Sequence, residues 1–116
     1  MAVRVQTQDD LLFGVMTTRR TATHVRIQRD GIVLLTKELT TPVTAEAGEG
    51  IRLPSGQLDF VHATGADGTD DYVRALVDSY WKQQLFQLDL LSDASTVIQD
   101  SGYNSQSYAN WQISNE

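Results

Sequence analysis

Residues 21–39 read Thr-Ala-Thr-His-Val-Arg-Ile-Gln-Arg-Asp-Gly-Ile-Val-Leu-Leu-Thr-Lys-Glu-Leu, and this stretch decides the fold class. Val25 and Ile27 alternate with Arg26 and Gln28, the period of two that a half-buried strand requires. Asp30-Gly31 then supplies two residues that tolerate positive φ, as a tight type I′ turn demands. Ile32 to Leu39 returns as the second strand, and its Ile-Val-Leu-Leu run predicts burial on both faces near the turn. The local reading is a β-hairpin.

Outward from that hairpin the chain keeps the same grammar. Phe86, Leu88 and Leu90 alternate with Gln87, Asp89 and Leu91, predicting a strand. Ser92–Ser95 makes a turn, and Thr96–Gln99 starts a return strand, so this is read as a second hairpin. Asp100-Ser101-Gly102 is a further turn or bulge. Tyr108–Ser114 is the last strand candidate, with Trp111 and Ile113 on one face. Shorter candidates are Val43–Ala47, Ile51–Leu53 and Gln57–Ala63, separated by Gly48-Glu49-Gly50 and Pro54-Ser55-Gly56. Short strands at turn spacings of about 8–12 residues predict a mainly β, antiparallel sandwich of jelly-roll type. One helix near 69–82 interrupts it. Thr69 caps it, Asp70 and Asp71 favour the positive dipole end, and Tyr72, Val73, Leu76, Val77 and Tyr80 share one face. A weaker helix is read at Asp9–Thr17, and residues 1–8 as an N-terminal arm or edge strand.

The 116 residues bound the remaining choices to one domain, 1–116. No apolar run approaches the roughly 20 residues of a membrane span, and the N-terminus lacks the apolar core of a signal peptide. The absence of cysteine excludes disulfides, thiolate-ligated zinc and a cysteine nucleophile. The net charge of −6 sits wholly in residues 61–116, where Arg74 and Lys82 face eight acidic groups. An acidic half with no basic stripe argues against direct contact with nucleic acid.

Candidate sites are few. Gly65-Ala66-Asp67-Gly68-Thr69-Asp70-Asp71 gathers oxygen ligands suited to a hard cation, although its spacing departs from the EF-hand order. An acidic turn leading into a helix explains the same residues more simply. His24 and His62 sit in strand-like stretches without a ligand partner, and no serine elbow or phosphate loop occurs. The expectation is a protein without catalysis, cofactor or metal. Tyr103, Tyr108 and Trp111 are interspersed with Ser, Asn and Gln in the C-terminal segment. That mixture suits core packing, a protein contact or a glycan-stacking surface.

The run from Thr21-Ala-Thr-His-Val-Arg-Ile through Arg52-Leu-Pro-Ser-Gly-Gln-Leu-Asp-Phe60 and Asp71-Tyr-Val-Arg-Ala-Leu continues to Phe86-Gln-Leu-Asp-Leu-Leu-Ser-Asp and Asp100-Ser-Gly-Tyr103. In layout and phrase it resembles small virion structural proteins of tailed bacteriophages, above all the capsid cement (decoration) proteins of short-tailed phages. The resemblance covers most of residues 20–114. It implies a jelly-roll-like domain without catalysis that binds across subunits of the major capsid protein, as a homodimer on the outer surface of the virion. Assembly in the host cytoplasm agrees with the lack of cysteine. No site residue carries over by position. On exposure-prone chemistry alone, Arg4, Arg19, Arg20, Tyr103, Tyr108 and Trp111 are the expected contacts. A tail or tail-tip subunit and a glycan-binding module are the alternatives.

Overall fold

A computed structural model describes residues 3–62 and 80–115, in which antiparallel strands make three sheets. The strands are β1 (Val3–Thr7), β2 (Leu11–Val15), β3 (Arg20–Arg29), β4 (Ile32–Ala45), β5 (Gly50–Leu53), β6 (Asp59–His62), β7 (Phe86–Leu91), β8 (Gln106–Tyr108) and β9 (Trp111–Asn115). One sheet has the order β6-β1-β9, a second pairs β2 with β5, and the third runs β4-β3-β7-β8. The expectation of a mainly β, antiparallel chain is met.

The hairpin around Asp30-Gly31 forms as its sequence requires. Both turn residues have positive φ, 53° and 79°, and β3 and β4 pair from Arg29↔Ile32 outward. The predicted burial of Ile32, Val33 and Leu34 is overturned: they are 65%, 50% and 40% exposed. β4 is the edge of its sheet, and the register slips opposite Ile27/Gln28. Both faces of the hairpin end therefore meet solvent.

Three further expectations are corrected. The arm or edge strand expected at residues 1–8 is overturned over its described part, because β1 is the middle strand of its sheet, with Val5↔Phe60 on one side and Val5↔Ile113 on the other. Asp9–Thr17 is no helix. It contains β2, and Gly14 holds φ at +118°, outside any right-handed helix. The second hairpin forms at its turn, where Ser92 N donates to Thr96 O and Ile98 N to Leu90 O, but its return is shorter than expected. Thr96–Gln99 contributes only the bridge Leu91↔Val97, while β7 pairs with β3 (Ile27↔Leu88) and β8 (Leu88↔Gln106). Asp93 accepts from Ser95 N and Thr96 N and closes the loop, and the chain leaves the edge of β7 at 99–105 before pairing with it again as β8. The expected strand at Tyr108–Ser114 splits at Ala109-Asn110 into β8 and β9, which belong to different sheets.

An aromatic cluster joins the three-stranded sheet to the four-stranded one. Trp111 on β9 lies 5.1 Å from Trp81 and 4.9 Å from Tyr108, and Trp81 stacks 4.6 Å from Phe86 on β7. Phe60 on β6 closes the cluster at 5.2 Å from Trp81. Burial of each ring contributes roughly 1.5–3 kcal/mol, and each edge-to-face or stacked pair about 0.5–1.5 kcal/mol more. Residues 80–82 are helical. The remainder of the helix expected near 69–82, and the acidic loop 65–71 with its cation reading, lie outside the described residues.

Candidate functional site

Alternation along β7 sends Phe86, Leu88 and Leu90 to the core and Gln87 and Asp89 to the opposite face. On β3 the matching face carries Arg26 and Gln28, in register with Asp89 and Gln87. Asp89 is only 2% exposed, so its charge must be met locally. Gln28 Nε2 and Gln87 Nε2 donate to Oδ2 at 3.2 and 2.9 Å, and Arg26 Nη2 lies 3.8 Å away. Tyr103 OH donates to Oδ1 at 2.8 Å, and Ser105 Oγ donates to the same oxygen. Tyr103 OH also accepts from Leu90 N at 2.8 Å. Burial first, and then the neighbouring carboxylate, hold the Tyr103 phenol far above its usual range. Asp89 thus acts as the hub of a polar cluster whose donors come from β3, β7 and the segment that leads into β8.

A second carboxylate fixes the start of that segment. Asp100 has a side chain with no exposure, and it accepts from Thr17 N and Oγ1 at 3.1 Å, Gly102 N at 2.9 Å and Arg20 Nε at 3.2 Å. These donors, Gly102 N foremost, hold its carboxyl well below the ordinary carboxylate range. Beside it the backbones cross with no room for side chains. A Cβ on Gly14 would come within 1.8 Å of Gly102 O, and one on Gly102 within 1.8 Å of Val15 O. Asn104 N donates to Phe13 O at 2.7 Å across the same crossing.

The six expected contact residues are not gathered into one surface. Trp111 is 0% exposed and Tyr108 is buried beside it, so neither presents a ring face to a sugar or a partner. Tyr108 OH accepts from Gln8 N at 3.0 Å and lies 2.7 Å from Asn110 O and 3.0 Å from Asp9 Oδ2. Burial, followed by Asp9, pushes its phenol up to about 12. Tyr103 serves Asp89. Arg4 pairs with Asp59 at 2.8 Å, Arg19 with Glu46 at 3.2 Å and Arg20 with Asp100. Arg20 and Tyr103 share the neighbourhood of the 100–103 turn, while Arg4 stands on a different sheet. His24 is half-buried on β3, 2.8 Å from Thr23 Oγ1, and opposite Glu38 and Leu91. Among the described residues no three His, Asp or Glu side chains converge as metal ligands.

What sequence reasoning missed is the surface that remains. Among the described residues the exposed large apolar side chains are Leu12 and Val15 on β2, Ile32, Val33 and Leu34 at the hairpin end, and Leu85. Leu85 directly precedes β7, which runs antiparallel to β3 with Gln28↔Gln87. Extending that register brings Leu85 to the same end of the sheet as Ile32. Val15 pairs with Gly50, five residues beyond the end of β4, so the two apolar places lie toward opposite ends of that strand. No family model, no curated protein and no solved structure matches this chain.

Proposed function

We propose that this chain is a non-enzymatic structural subunit of a bacteriophage virion, a capsid cement protein that binds across neighbouring major capsid protein subunits. The observation that carries the reading is the pair of exposed apolar places, Leu12/Val15 and Ile32/Val33/Leu34/Leu85, separated along β4. A bridging protein needs two contact surfaces on a rigid body, each contributing modestly and multiplied by the symmetry of the shell. The buried carboxylate clusters supply rigidity rather than a binding site, because their acceptors are already engaged within the chain. The jelly-roll-like sandwich belongs to the same proposal. It is supported by the aromatic cluster that packs β6 and β9 against β7 and β8. Outer-surface localisation and a homodimer on the shell are parts of the reading that the resemblance alone supplies.

The test is the copy number of this chain in purified phage particles by quantitative mass spectrometry. Hundreds of copies in simple ratio to the major capsid protein are expected. A handful per particle would move the protein to the tail or tail tip, and complete absence would overturn the virion reading.

A further inference from the structure

Residues 99–105 form no strand, yet they are fastened at both ends. Ile98 N donates to Leu90 O at 3.0 Å just before them, and β8 begins just after. Between those ends two buried carboxylates hold the segment from opposite sides. Asp100 reaches out of it to the corner between β2 and β3, where Thr17 N, Thr17 Oγ1, Thr18 N and Arg20 Nε donate at 3.1 to 3.4 Å. Asp89 reaches into it from β7 and takes the hydroxyls of Tyr103 and Ser105. Besides these, Tyr103 OH accepts from Leu90 N at 2.8 Å and its ring stacks on Phe13 at 6.0 Å, Asn104 N donates to Phe13 O, and Gln87 lies 3.4 Å from Ser105.

We propose that residues 99–105 are an acid-released strap, which opens as a unit when Asp100 takes up one proton while β3, β4 and β7 remain paired. The charged and titratable groups facing Asp100 and Asp89 set the balance. Arg20 is the cation beside Asp100, and the corner at Thr17 and Thr18 otherwise offers neutral donors. Arg26 from β3 stands 3.8 Å from Asp89, with the Tyr103 phenol on its other oxygen. The closed strap favours the ionised Asp100, because its backbone, hydroxyl and guanidinium donors bond a charged carboxylate more strongly than a neutral carboxyl, which has one oxygen taken by a proton. Opening frees the Thr17 and Thr18 amides and uncovers the polar row of Arg26, Gln28, Gln87 and Asp89.

Linkage fixes the sign and size of the effect. Asp100 is depressed in the closed form and returns toward its ordinary value of 3.8 when open. Its contribution to closure is therefore complete above that value and declines as the pH falls below it. With one proton taken up on opening, the opening constant rises up to tenfold per pH unit.

The test is hydrogen exchange read by mass spectrometry between pH 5 and pH 2.5, corrected for intrinsic exchange rates. Peptides spanning 99–105 are expected to open about tenfold more per unit below pH 3.8, while β3 peptides keep their protection. In Asp100→Asn the same peptides should already be open at pH 5 and show no slope. Should that variant fail to fold, Thr17→Val, which deletes one donor to Asp100, is expected to raise opening several-fold at pH 5. Simultaneous loss of protection in 99–105 and β3 would overturn the proposal. So would a slope that persists in Asp100→Asn, or an unchanged Thr17→Val.

Discussion

Thr7 closes β1 with a fully buried side chain whose hydroxyl has no hydrogen-bond partner, although both of its backbone groups are engaged by Leu58 and Gly56. Its cross-strand partner is Trp111, inside the aromatic cluster. A buried hydroxyl left unbonded costs about 1–3 kcal/mol, and valine has nearly the same shape without that group. Thr7→Val is therefore expected to raise stability by about 1 kcal/mol, or roughly 3–5 °C in Tm by calorimetry. A lower Tm would contradict the reading that the hydroxyl is unsatisfied. Gly14 presents the opposite case. Alanine there would combine a Cβ at 1.8 Å from Gly102 O with a φ of +118°, and neither backbone can yield without opening the Asp100 turn. Gly14→Ala should cost about 4 kcal/mol or more, whereas Gly31→Ala, with open space around its Cβ, should cost about 1 kcal/mol from left-handed strain alone. Equal urea midpoints for the two variants would refute the crossing as a packing constraint.

At the scale of elements, Tyr108 couples three of them, since β8 carries it, the 8–10 turn binds it and β9 packs on it. Its phenol is raised to about 12 in the folded chain from an ordinary 10.0. A raised value means that the folded state prefers the neutral phenol. Its contribution is present below pH 10 and is lost as the pH climbs toward 12. Urea midpoints should accordingly fall above pH 10, and less steeply in Tyr108→Phe. An identical alkaline slope in the variant would remove Tyr108 from the titration. What the sequence made legible follows the range of the forces involved. The β3–β4 hairpin is specified by neighbours, Asp30-Gly31 and the flanking alternation, and it forms where expected. β1 and β2 are specified by partners 35 to 112 positions away in the chain. Nothing within Ala2–Gln8 distinguishes an arm from a central strand, and Gly14 reads as a helix breaker without revealing the backbone it must meet. The candidate site was hidden for the same reason. Asp89 and Asp100 look like ordinary polar positions in alternation and in a turn. Only the chain's return through 99–108 buries them, and it turns Tyr103 from a surface candidate into the hydrogen-bond partner of Asp89, and Tyr108 into that of Asp9.

For the whole molecule, interior and surface divide the labour. The interior spends its aromatic and carboxylate groups on joining the sheets, which leaves the apolar ends without internal partners. Isolated exposed apolar residues are ordinary, but four of the six large ones among the described residues share one end of the four-stranded sheet. The hairpin apex between them carries Asp30, largely exposed, so the end is suited to a protein surface rather than to a lipid interior. The bulge opposite Ile27/Gln28, together with Lys37, Glu38 and Pro42, guards the β4 edge against uncontrolled strand pairing. Contact through side chains at the tip is what remains. Val33→Lys and Val15→Lys place a charge in each apolar surface at positions that make little internal packing, so each should change stability by no more than about 0.5 kcal/mol. Each is expected to lower occupancy on phage particles when supplied in place of the native chain, and the double variant should lower it more than either alone. Full occupancy of the double variant, with unchanged Tm, would mean that neither end binds and would leave the bridging reading without its surfaces.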